Sequence, residues 1–268
     1  MKKLPRGMQD FKEIITKNFI YVDKTRYFWE MLNRGKSYFL SRPRRFGKTL
    51  MISTLYYLFK GEKELFKDTY IYDKWDFKEY PVVRISMTEI NAENPDTVKN
   101  TLRYKLEELY REYGLTPHTE DYKMLFSDLV KMLSERGEVV VLIDEYDRPM
   151  LSHLGDIETA NAIRAVMREF YIVIKDTEPL LRLALLTGLT KITKVGIFST
   201  LNHLTELTNQ KDYAAMLGCT TEELEYYFAD HIQEGARRLH ISQEELLEQI
   251  RDHYDGFSFD GEHFVYNP

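Results

Sequence analysis

The apolar positions change their period repeatedly along the chain, alternating between the signatures of helix and of strand. After a short lead-in, Phe28, Met31 and Leu32 share one helical face and Gly35 stops the pattern, so a helix is expected within residues 19–35. Ser37–Ser41 is a short apolar run, read as a strand, and Leu50–Phe59 is apolar enough for a helix buried over much of its surface. Val82–Met87 reads as a second strand. Asn94 and Pro95 pair a capping residue with proline at the first helical position. Val98, Leu102, Leu106 and Leu109 supply that helix's apolar face, and Gly114 ends it. Thr116 and Pro117 give the same start signal for a helix running to about Leu133. Val139–Ile143 is a run of five apolar residues rich in β-branched types, the pattern of a strand buried on both faces of a parallel sheet. Ile163, Val166, Met167 and Phe170 mark a helix over residues 157–174. Leu181–Leu186 is the next buried strand and Leu204–Leu207 a weaker fifth.

Strands alternating with helices predict an α/β fold, a parallel sheet covered by helices on both faces. From Gln210 the pattern changes: Thr220 with Glu223, and Ser242 with Glu245, have the spacing of capping boxes. A small helical lid is expected over residues 210–255. Asp255 and Gly256 mark a turn, and the end reads as a strand or extended tail. The expected division is a core over residues 1–209, with 1–36 as its lead-in, and a lid with its tail over 210–268.

Composition narrows the function classes. Hydrophobic residues make up 43% and charged residues 30% of the 268, which suits a packed core and excludes wholesale disorder. The formal charge of −6 excludes a general nucleic-acid binder, so any such contact needs a local basic patch. A single cysteine, Cys219, leaves no internal disulfide and suits a reducing compartment. Residues 1–11 carry no secretory pattern, and no run approaches the roughly 18–20 apolar residues of a membrane span. A cytoplasmic chain with no membrane partner is expected.

The candidate chemistry begins at Arg42–Thr49, where Gly47, Lys48 and Thr49 match the end of the phosphate-loop pattern G-x-x-x-x-G-K-[ST]. A loop between a buried strand and a helix start aims several backbone N–H groups at one point, and the helix dipole adds to their field. The backbone of Arg44, Arg45, Phe46, Gly47, Lys48 and Thr49 would hold phosphates, the Lys48 amine would add a full charge, and the Thr49 hydroxyl would ligate magnesium. Arg42 stands where the pattern has its first glycine. A basic surface turn before a buried helix is the bland reading of the same residues. The second motif shifts the balance: the buried run 139–143 leads directly into Asp144 and Glu145, at the strand end where ligands sit in open α/β sheets. Asp144 would hold magnesium and Glu145 would polarise the attacking water. Thr187, at the end of the strand that the usual sheet order places between the two motifs, could touch the γ-phosphate or its water, or be an ordinary strand-end threonine before Gly188. The seven histidines show no metal-ligand spacing, and Asp10-Phe11-Lys12, Asp76-Phe77-Lys78 and Asp121-Tyr122-Lys123 follow no strand with an acidic partner.

Five ordered segments carry a resemblance. They are Leu4–Phe11, Tyr21–Thr25, Ser41–Thr49, Leu142–Asp147 and Lys194–Ser199, and with the ending Tyr254–Phe257 and Val265–Pro268 they resemble the bacterial and archaeal AAA-ATPase-like family. The resemblance covers nearly the whole chain. It implies a P-loop fold in which an arginine at the first loop position is the usual form. It also places Asp23, in the Asp23-Lys24-Thr25 segment, near the nucleotide and Lys194 near the phosphates or the lid. Family members often carry a nuclease-like domain of the PD-(D/E)XK type after the ATPase, a possible partner beyond Pro268.

The expectation is therefore an ATP- and magnesium-binding domain that hydrolyses ATP. An arginine finger could come from Arg148, Arg164, Arg168 or a neighbouring subunit, and the sequence leaves homo-oligomerisation and nucleic-acid contact open. The rival is a nucleotide-gated switch with slow turnover whose lid signals to a partner. A small-molecule kinase ranks third, because no acceptor-binding segment is evident.

Overall fold

In the computed structural model, which describes residues 1–153, 155–190, 201, 203–254 and 256–268, the chain opens with helices α1 (Phe11–Thr16) and α2 (Thr25–Arg34). Strand β1 (Ser37–Ser41), helix α3 (Lys48–Phe59), strand β2 (Val82–Ser86) and helices α4 (Pro95–Glu112) and α5 (Tyr122–Ser134) follow. Next come β3 (Val139–Asp144), the short α6 (Arg148–Leu151), α7 (Ile157–Asp176), β4 (Leu181–Gly188) and β5 (Thr205–Glu206). Helices α8 (Thr221–Tyr227), α9 (Ala229–Leu239) and α10 (Gln243–Tyr254) precede a hairpin of β6 (Phe257–Ser258) and β7 (Phe264–Val265).

The first five strands form one parallel sheet in the order β2-β3-β4-β1-β5. Alternation along β3 divides the core. Val139, Val141 and Ile143 pack with residues of α4, α5 and α7, whereas Val140 and Leu142 pack with residues of α1, α2 and α3. Every residue of β3 is buried, as a strand covered on both faces requires. The α/β class, the sheet and the β4 position between the two motif-bearing strands are as the sequence implies.

Two helix starts differ from the sequence reading. The helix expected from Thr116 and Pro117 begins only at Tyr122, because the Asp121 carboxylate accepts both the Lys123 N–H at 3.1 Å and the Met124 N–H at 2.9 Å. That is the stronger cap, and Thr116 and Pro117 belong to the preceding loop. Helix α1, too short for a periodicity to register, is held by a cap instead. Asp10 accepts the Glu13 N–H at 2.9 Å and the hydroxyls of Ser53 at 3.1 Å and Tyr57 at 3.0 Å, fastening α1 to α3.

Beyond residue 210 the chain first returns to the core. Tyr213, Ala215, Met216 and Leu217, with Val265 of the hairpin, pack against the same apolar layer as α3. Helices α8–α10 lie outside it, and α10 buries no side chain. The capping box at Thr220 and Glu223 is complete, and Ser242 Oγ accepts the Glu245 N–H at 3.1 Å.

Candidate functional site

Register places the site. Leu40 of β1 lies beside Thr187 of β4, and Ser41 beside Gly188, while Ile143 of β3 lies beside Leu186. The chain leaves β1 and β3 on either side of the end of β4. The Arg42 N–H donates to the Gly188 carbonyl at 3.2 Å, and the Tyr146 N–H to the Thr187 carbonyl at 2.9 Å. The loop 42–47 and the acidic segment 144–147 therefore start from one edge of the sheet.

The loop reaches α3 through two left-handed positions, Arg45 at φ 70° and Gly47 at φ 87°. Glycine takes that conformation freely, whereas an L-residue bears roughly 1–2 kcal/mol for it. Gly47 is the N-cap of α3 and supplies no side-chain cap. The N–H groups of Gly47, Lys48, Thr49 and Leu50 are the four that a helix start leaves unpaired. They meet no acceptor among the described residues. Lys48 Nζ donates to the carbonyls of Arg42 at 2.8 Å and Pro43 at 2.9 Å, closing the loop into a ring. An ammonium has three N–H bonds, and with no third acceptor among the described residues one is left for an anion in that ring. Burial lowers the pKa of Lys48, and Asp144, Glu145 and Asp147 act against that shift. Phe46 is buried, Thr49 half-buried, and Arg44 and Arg45 exposed.

The facing segment is built on hydrogen bonds to carboxylates. Asp144, buried, accepts the Thr187 hydroxyl at 2.6 Å and the Glu145 N–H at 3.0 Å, both on Oδ1. Its Oδ2 accepts no hydrogen bond among the described residues and is the oxygen suited to a hard cation. Glu145, half-buried, sits at φ 52°, a left-handed conformation that turns the chain sharply at the strand end. Asp147 is a third acidic residue to which the sequence reading gave no role. Buried, its carboxylate accepts the N–H groups of Leu189 at 3.1 Å and Thr190 at 2.8 Å and the Thr190 hydroxyl at 2.7 Å. It fixes the start of the loop after β4 to the end of β3. A third carboxylate so soon after a buried run was its signal in the sequence.

Gly188 has a steric reason to be glycine. A Cβ there would fall 2.3 Å from the Tyr146 ring and 3.0 Å from an Asp147 carboxylate oxygen. Tyr146 is itself held, its carbonyl accepting the Tyr171 hydroxyl at 2.9 Å. We expect Gly188→Ala to destabilise the chain by about 1–3 kcal/mol, the usual cost of overpacking. Urea unfolding would measure it, and an unchanged midpoint would contradict the packing described.

The other sequence candidates have contacts of their own. Asp23 accepts the N–H groups of Thr25 at 2.8 Å and Tyr70 at 2.6 Å, and neither belongs to the loop. Its neighbour Lys24, buried, donates to the Ala215 carbonyl at 2.8 Å and to Glu223 at 2.7 Å, fastening the lead-in to α8. Arg148, Arg164 and Arg168 are exposed, and Arg164 donates to Asn161 at 2.7 Å. Lys194, with the whole segment 191–200, lies outside the described residues, as does Asp255 of the expected turn. No group of three or more His, Cys, Asp or Glu side chains able to hold a metal by themselves occurs among the described residues. A cation at Asp144 would therefore need ligands from Thr49, from solvent and from the anion it accompanies, the pattern magnesium favours. No helix among the described residues is long and apolar enough to cross a membrane.

Comparison with known proteins bears on this arrangement. A family model described as "Predicted AAA-ATPase" matches residues 5–198. An uncharacterized protein encoded in the vnfD 5′ region of Azotobacter chroococcum mcd 1 is 36% identical over 271 residues, covering 100% of this chain. The chain spans 50% of that relative's length. No solved structure matches.

Proposed function

The chain belongs to the predicted AAA-ATPase family, and from that premise we propose that it binds ATP with magnesium at Arg42–Thr49 and hydrolyses it at Glu145. One observation carries the reading. The N–H groups of Gly47–Leu50 meet no acceptor among the described residues, and they stand at the start of a twelve-residue helix beside the buried Lys48 ammonium. Exposed to an anion, such donors act together with the helix dipole. Nucleoside triphosphate is the class of anion that also explains Asp144 and Glu145.

In this reading the Arg44–Thr49 backbone and Lys48 hold the β- and γ-phosphates. Thr49 and Asp144 Oδ2 would hold magnesium, which would supply charge neutralisation at the phosphate oxygens. Glu145 orients a water and takes its proton. Thr187 acts through Asp144: its hydroxyl proton is already donated to Oδ1 at 2.6 Å, which leaves Oδ2 for the cation. Phosphate release by the chain should thus require magnesium, and measuring it with and without DNA or RNA would reveal any dependence on nucleic acid. Thr187→Val is nearly isosteric and removes only the donor. It should raise the magnesium concentration for half-maximal release by about 10-fold, the low end for loss of a metal ligand's hydrogen-bond partner, while Thr187→Ser restores it. An unchanged magnesium requirement would remove Thr187 from the site.

The second reading, a nucleotide-gated switch with slow turnover, is favoured by how the C-terminal region meets the loop. Arg42 donates to the carbonyls of Thr208 at 2.7 Å and Tyr213 at 3.2 Å. A change at the loop then has a direct route to residues 208–213 and the lid that follows. The output would be a partner domain, with the nuclease-like domain that the family resemblance implies as the first candidate.

A further inference from the structure

We propose that the C-terminal hairpin β6–β7 is a positioning element of the phosphate loop, with Phe257 and Phe259 holding Phe46 and the Phe259 ring bearing on Arg42. The proposal rests on the ATP-site reading for its effect on affinity, but its geometry is independent of it.

The contacts fall on two of the loop's own residues. Phe46, immediately before the left-handed Gly47, is 1% exposed. Its ring lies edge-on to Phe257 at 4.9 Å and to Phe259 at 5.5 Å between centroids. Arg42 occupies the position at which the general pattern has glycine, and its side chain is also 1% exposed. Its guanidinium lies 3.8 Å from the centroid of Phe259. It donates to the carbonyls of Ser41 at 3.0 Å, Thr208 and Tyr213. Burial lowers its pKa to about 10, and Asp260 of the hairpin turn acts against the shift. At neutral pH it is a buried cation, and such a charge is tolerated only when it is hydrogen-bonded and faced by electron-rich groups. The hairpin supplies the ring and the nearby carboxylate.

The hairpin is itself anchored, so it can transmit restraint. Tyr266 exchanges hydrogen bonds with Cys219, at 2.7 Å and 3.2 Å. Val265 is fully buried against Gly218, whose φ is 86° and where a Cβ would come within 3.0 Å of Val265. The turn closes on Asp260, which accepts the N–H groups of Glu262 at 2.9 Å and His263 at 2.8 Å. The Gly261 N–H donates to Ser258 Oγ at 2.9 Å. One end of the hairpin is thus fixed in the core and its Phe257 and Phe259 rings lie on the loop. The N–H groups of Gly47–Leu50 meet no acceptor among the described residues, and the packing on Arg42 and Phe46 restrains the stretch that leads into them. With that stretch fixed, less ordering remains when an anion binds.

The test compares Phe259→Ala with Phe259→Tyr in the whole chain, read by amide exchange without nucleotide and by Mg-ATP titration. For Phe259→Ala we expect exchange of the Arg42 and Met51 N–H groups, hydrogen-bonded to the Gly188 and Gly47 carbonyls on either side of the loop, to rise by about 10-fold, as for a segment released from its packing. The dissociation constant for Mg-ATP should rise by about 10-fold, with turnover at saturating ATP little changed. Phe259→Tyr keeps the ring face and should restore both. If Phe259→Ala unfolds the chain, Phe259→Leu, which retains apolar volume without a ring face, gives the same comparison. Faster exchange at Arg42 and Met51 with no ATP bound by the unaltered chain would uphold the positioning role and defeat the ATP site. Faster exchange confined to the hairpin, with Arg42 and Met51 unaffected, would overturn the proposal.

Discussion

Glu145→Gln is expected to bind Mg-ATP as the unaltered chain does and to release phosphate at least ~100-fold more slowly, the low end for removing a positioned general base. The substitution keeps the side chain's size and hydrogen-bonding reach and removes its charge and its ability to take a proton. Binding should survive because the phosphate-holding groups belong to the loop and to Lys48. The strand end should survive as well, since the Glu145 contact on Asp144 Oδ1 is made by its backbone N–H at 3.0 Å. The left-handed φ of 52° at Glu145 is a property of the backbone that glutamine tolerates equally. Single-turnover phosphate release, beside a separate titration of bound ATP, tells the outcomes apart. Loss of binding would mean that Glu145 holds the nucleotide or the fold. Release at the unaltered rate would mean that another group activates the water, and would favour the switch reading only if that rate were itself slow.

Much of this architecture was legible because the signals were local and strong. The run 139–143 followed by two carboxylates has few physical readings, and the strand, its burial and the place of Asp144 at its end all follow. The pairing of Asn94 with Pro95 located the start of α4 for the same reason. What escaped was decided by distant partners. Nothing near Asp10 shows that Ser53 and Tyr57 will complete its capping role. Asp121 prevailed over Thr116 and Pro117 by accepting two backbone N–H groups at once. Arg42 is the instructive case. Read along the chain it is a basic residue in place of a loop glycine. In the fold it is a buried cation whose partners Thr208, Tyr213 and Phe259 lie more than 160 residues away. No local pattern encodes that.

The central claim is that the loop around Lys48 holds the phosphates of ATP, and Lys48→Ala tests it most directly. Lys48 is 6% exposed, donates to the carbonyls of Arg42 and Pro43, and keeps one N–H for an anion. Removing it takes away a charge-assisted contact and the tie that closes the loop, and leaves Asp144, Glu145 and Asp147 to repel the phosphates. Charge-assisted hydrogen bonds are worth about 1.5–3 kcal/mol each, so the loss corresponds to at least ~10-fold and up to ~100-fold in affinity. The measurement is calorimetric titration of Mg-ATP into the unaltered chain and into Lys48→Ala, both verified as folded by their unfolding transitions. The account predicts saturable binding by the first, and a dissociation constant raised at least ~10-fold in the second. Equal affinity in the two chains would contradict it.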